Sequence, residues 1–124
     1  MSLSFRTIAI AASVICFALA GTWLLAPSLL LEMWGIQYSY PVGLIARRAA
    51  ALFLGFGVMF VLARDAQPSH TRTAPTIGLY VACLSLAALG VFEFATGHAG
   101  PGILSAVVVE IALATLFLRS WNVL

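Results

Sequence analysis

Apolar residues fall in long blocks separated by short polar stretches, and the blocks set the expected elements. The first, 5–25, is apolar apart from Arg6 and small hydroxyl residues, and it reads as a membrane-spanning helix. One positive charge ahead of a hydrophobic block and the run Ala18-Leu19-Ala20 also fit a cleavable signal peptide, but we expect the segment to stay as a first span. Ala12, Cys16 and Ala20 recur every four residues, a small-residue stripe that lets another helix approach closely. Pro27 breaks this block. Ser28 and the apolar run 29–34, closed by Gly35, predict a short helix, although Glu32 comes one place too late for a capping box. With Trp23, Trp34, Tyr38 and Tyr40 around it, that helix is expected at headgroup level.

Pro41 suits the start of a second span, 42–63, about 33 Å of helix against a hydrocarbon core of roughly 30 Å. The most polar stretch, 64–73, predicts a loop holding His70, which reads as a solvated loop histidine. A third span is expected over 75–95, with Gly78, Ala82, Ser85 and Gly90 as small contact positions. A glycine-rich turn, 96–102, leads to a fourth span, 103–118, a little short unless Pro101 and Trp121 extend it. Short connections favour antiparallel neighbours, so the pattern predicts one all-α domain, 1–124, built as an integral membrane bundle of four transmembrane helices. Arg6, Arg64, Arg72 and Arg119 fall on one side, and no arginine sits in the opposite loops. That bias puts both termini in the cytoplasm and argues against dual topology. No internal repeat or low-complexity segment interrupts this reading.

Composition agrees, with 63% hydrophobic residues and 8% charged and a mean hydropathy of +1.10, outside the range of soluble domains. All six basic residues are arginine, and a net charge of +2 without a basic cluster gives no reason to expect nucleic-acid binding. Cys16 and Cys83 lie mid-block, without CxxC or Cys/His spacing for metal, and read as packing residues. The alternative is a thiol pair in the membrane, which needs the first and third spans side by side with these residues level.

The costly feature is Arg47-Arg48 inside the second span. Starting the span after them leaves 49–63, only about 22 Å of helix, so at least one guanidinium is expected below the headgroups and in need of a partner. By depth, Glu110 and Glu93 share its leaflet. Ala106, Glu110 and Ala114 form one stripe and Arg47, Ala51 and Gly55 another, and the two are expected to face each other, Arg47 inward and Arg48 toward the interface. Arg47, Arg48, Glu93 and Glu110 are thus the candidate ion-pair or ligand cluster, with Glu32 and His98 in reach. His98, among glycines, fits an acid or base near Glu93 as well as a plain turn residue. No HExxH, GxSxG, P-loop or paired intramembrane histidine is present, so no metal or cofactor is expected and the balance leans away from an enzyme.

Trp34-Gly35, the run Ala46-Arg47-Arg48-Ala49-Ala50-Ala51-Leu52-Phe53-Leu54-Gly55, and Glu93 ahead of Thr96-Gly97, over four spans of this total length, resemble small DoxX-like bacterial inner-membrane proteins. The resemblance implies an architecture and the inner membrane more than an activity. The expected role is an interaction or accessory component of a membrane assembly, as a homo-oligomer or a subunit of a larger complex in the lipid bilayer. The alternatives are a transporter or binding protein for a lipid or small anionic or amphipathic ligand, and an intramembrane enzyme acting on lipid or quinone.

Overall fold

The computed structural model describes residues 4–121, with side chains through residue 119, so the Trp121 side chain and the extreme termini lie outside the described residues. The protein is all-α, with five helices in the described residues: α1 Phe5–Leu25, α2 Pro27–Met33, α3 Tyr40–Ala63, α4 His70–Ala95 and α5 Ile103–Trp121. By length and composition α1, α3 and α4 can each cross a membrane.

Local chemistry sets most of the boundaries. Ser4 caps α1, its Oγ accepting the Thr7 N–H at 3.2 Å. Proline disfavours helical geometry in the residue before it, and Ala26 leaves the helix at φ −143°, ψ 61°. Pro27 then supplies the preset φ of a first helical turn, so α2 begins two residues before the apolar run that predicted it. Its exit is a Schellman turn: Gly35 sits at φ +71°, its N–H reaching Glu32 O at 3.0 Å, while the Ile36 N–H reaches Leu31 O at 2.8 Å.

The largest departure from expectation is the start of α4, which takes in residues 70–73, read from sequence as loop. Pro75 does not start the helix but lies inside it. Proline at that depth costs one hydrogen bond. The first turn is tied down instead by Ser69, whose carbonyl accepts the Arg72 and Thr73 N–H groups at 3.2 and 2.9 Å. The Thr76 hydroxyl donates to Arg72 O at 2.7 Å in the same turn.

Helix α1 is the central element: 39% of its apolar span is buried, against 22% in α3 and 17% in α4. It runs antiparallel to α3, with Arg6 beside Asp65 at one end and Trp23 in a cluster with Leu31, Ala46 and Ala50 at the other. The contact is close because α3 turns small residues inward: Gly43, Ala46, Ala50 and Gly57 are all buried. Gly57 is filled by the Phe17 ring, which a Cβ there would meet at 2.6 Å. Helices α4 and α5 pair likewise, Gly90 lying against Val107.

The long helices all contribute to one core at the end where α1 starts. Phe5, Ile8, Ala9 and Ala12 of α1 meet Phe60 of α3, Leu79 and Cys83 of α4, and Leu113, Ala114 and Phe117 of α5. The fully buried rings of Phe60 and Phe117 stack at 5.2 Å, tilted by 49°. We call this the arginine end, since Arg6, Arg64, Arg72 and Arg119 cluster there, and the opposite one the aromatic end. At the aromatic end the two helix pairs are joined by backbone. The Gly100 N–H donates to Trp34 O at 2.6 Å, and Gly102 lies so close to the Met33 carbonyl that any side chain would collide with it.

Between α3 and α4 the packing is open. Phe56, Met59 and Leu62 on one wall and Thr71, Ala74, Gly78 and Ala82 on the other enclose an apolar groove of about 670 Å³.

Candidate functional site

The candidate residues divide between the aromatic end and the interior. Arg47 is half-buried and Arg48 exposed. The Arg47 guanidinium lies 5.6 Å from the centroid of the Tyr40 ring. Tyr40 and Arg47 are two turns apart on one face, a spacing visible in the sequence whose meaning was missed there. A cation over a π face is a partial answer to a guanidinium near hydrocarbon. Around it Trp23 and Trp34 meet edge to face at 5.2 Å, and the Tyr38 hydroxyl covers Gly43.

Glu93 pairs with His98 rather than with an arginine. His98 Nδ1 is 2.9 Å from Glu93 Oε2 and 3.1 Å from Thr96 Oγ1. The backbone makes this contact. Gly97 at φ +81° ends α4 in a second Schellman turn, with the His98 N–H on Glu93 O at 2.9 Å and the Gly97 N–H on Phe94 O at 3.1 Å. That turn brings the residue after the glycine back over the one five places earlier, a place more often held by an apolar contact. A carboxylate on Nδ1 favours a proton there. His98 is 67% and Glu93 40% exposed at the side chain, so the pair adds little stability. Glu32 is exposed on α2.

Glu110 stands apart. Of its stripe Ala114 is 2% exposed while Ala106 and Glu110 are half-buried, and the Glu110 Oε2 is buried without a hydrogen-bond partner. The facing stripe is absent, because Ala51 and Gly55 are exposed and nothing lies within 4 Å of where a Gly55 Cβ would stand. The expected meeting of Arg47 with Glu110 therefore does not occur. The reason is the turn of α3: its small buried face, Gly43, Ala46, Ala50 and Gly57, closes on α1 and carries the Arg47 stripe away from α5. Both thiols, Cys16 and Cys83, are free and buried. Cys83 lies in the core cluster with Leu79, and Cys16 lies one turn beyond Ala12 of the same cluster.

At the arginine end Asp65 takes Arg6 at 2.8 Å and Arg64 at 3.6 Å. Arg72, which the sequence presented as one more loop arginine, has no carboxylate among the described residues. Its guanidinium lies 4.2 Å from the Phe5 ring centroid, and its Nε is buried without a hydrogen bond. Among the described residues no group of three or more His, Cys, Asp or Glu is placed to hold a metal ion. Compared with known proteins, the chain matches no family model, no curated protein and no solved structure.

Proposed function

We propose that the chain is a four-span bundle of the bacterial inner membrane, with both termini cytoplasmic and α2 at headgroup level, that acts as an interaction or accessory component by associating with a second copy of itself. The four-span architecture is what its resemblance to DoxX-like proteins implies, and the accessory role is our own reading. The supporting observation is the outward stripe of α3. Ala51, Gly55, Val58 and Leu62, spaced four, three and four, are all exposed, and open space surrounds Gly55. Small residues at this spacing let two helix backbones approach closely, which drives association where lipid and side chains are equally apolar. The same stripe on two copies is self-complementary about a two-fold axis normal to the membrane. Arg48, one turn above, reaches for headgroups.

The test is cross-linking in native membranes with Cys16 and Cys83 replaced by serine and a single cysteine at Ala51. Oxidation is expected to give a covalent dimer, and Gly55→Ile is expected to abolish it. A chain that stays monomeric with cysteine at 51, 55 or 58 would overturn the reading. A second reading, a site for a small amphipathic ligand, draws support from the unpartnered oxygen of Glu110.

A further inference from the structure

We propose that the groove between α3 and α4 holds one acyl chain of an anionic phospholipid, whose headgroup is met by Arg72 and Arg64 at the arginine end. The inference is independent of self-association, because the groove walls and the outward stripe of α3 share only Leu62. Three observations converge on this occupant.

The first is shape. From Thr71 to Ala82 the α4 wall runs about 16 Å, half of the roughly 30 Å hydrocarbon thickness and so the reach of one leaflet's chain. The groove, about 670 Å³, is long enough for such a chain and apolar along both walls, Phe56, Met59 and Leu62 facing Gly78 and Ala82. Gly78 leaves room, since a Cβ there would meet nothing within 4 Å.

The second is charge. The groove ends at Ala63 and Thr71, and the next residues along the chain are Arg64 and Arg72. At this end the cations outnumber the anions. Asp65 is shared by Arg6 and Arg64, and Arg72 is left with the Phe5 ring and a buried Nε that donates to nothing. A phosphate diester with one net negative charge supplies the missing acceptor, and guanidinium suits phosphate oxygens. The third is position. Polar donors stand only at the arginine end of the groove, so a chain can enter only with its headgroup at that end, the orientation of a lipid in the adjoining leaflet.

The experiment is native mass spectrometry of the full chain, released from detergent with added phosphatidylglycerol or phosphatidylcholine of identical acyl chains. Lipid adducts are counted on the single-chain species, so the result does not depend on oligomeric state. We expect one phosphatidylglycerol per chain, bound at least fivefold tighter than phosphatidylcholine. Arg72→Gln should remove about fivefold of that preference, the worth of one cation near a lipid surface, and Gly78→Phe, which fills the groove, should remove the bound lipid. Thermal unfolding in detergent checks that each variant is folded, and Ala82→Phe replaces Gly78→Phe if the latter is not. Equal binding of the two lipids, an undiminished preference in Arg72→Gln, or a bound lipid retained in a folded groove-filled variant would overturn the proposal.

Discussion

Helix α3 meets α1 and α4 in different ways. Toward α1 it presents Gly43, Ala46, Ala50 and Gly57, where Trp23 of α1 clusters with Ala46 and Ala50 and Phe17 covers Gly57. Toward α4 it presents Phe56, Met59 and Leu62, and opposite them α4 offers Ala74, Gly78 and Ala82, yet the two walls do not close. Small residues alone therefore do not bring helices together. On the buried face the glycines are filled by rings, Gly57 by Phe17 of α1 and Gly43 by Tyr38 from the segment just before α3. On the α4 side Gly78 meets nothing. In lipid, where burial itself drives little, the difference between a seam and a groove is this complementarity of knob and hole.

The strongest way to break the comparison is to put the same side chain into each wall. At Gly57 a new side chain must displace the Phe17 ring, which packs over it from α1, and overpacking of that kind costs about 1–3 kcal/mol. Gly57→Val should therefore lower the midpoint of thermal unfolding in detergent by several degrees. Gly78→Val, in the open groove, should stay within about 0.5 kcal/mol of the parent. Equal losses at the two positions would mean that the groove closes in solution and that the contrast is not a property of the protein.

A smaller effect sharpens the interior. From sequence alone Glu110→Gln should destabilise by breaking an ion pair, but Oε2 has no partner to lose. Removing a buried polar atom that makes no hydrogen bond relieves a cost of about 1–3 kcal/mol, less the cavity left by any poorly shaped replacement. Glu110→Leu should accordingly raise the unfolding midpoint. A lower midpoint would show that the carboxyl is engaged after all.

That reversal marks the limit of what the residues reveal unaided. The apolar blocks, Pro27, Pro41, Gly35 and Gly97 announce the helices and their ends, because hydropathy and turn chemistry act within a few residues. The partly buried stripe of Glu110 is legible for the same reason, and so is the nearness of His98 to Glu93, five places apart across a glycine. The rotation of α3 is not. Arg47-Ala51-Gly55 and Gly43-Ala46-Ala50-Gly57 are both small-residue faces, and only the bulk available on α1, Phe17 and Trp23, decides which one is buried. Likewise α4 starts at His70 rather than at Pro75, with Ser69 accepting the Arg72 and Thr73 N–H groups, a contact that the polar composition of 64–73 does not announce.

The smallest expected effect concerns how the two seams end. The α1–α3 seam is clasped at the arginine end by Asp65, which holds Arg6 of α1 at 2.8 Å and Arg64 at 3.6 Å. No ion pair among the described residues crosses from α3 to α4. Both partners of the tighter contact are more than half exposed, so water and salt screen it, and an exposed pair of this kind is worth about 0.2–1 kcal/mol. Asp65→Asn should lower the unfolding midpoint slightly at low ionic strength. The difference should shrink in about 1 M salt, where the Debye length falls from about 10 Å at 0.1 M to roughly 3 Å. A loss that persists in salt would mean the aspartate acts through hydrogen bonding that fixes the α3 terminus.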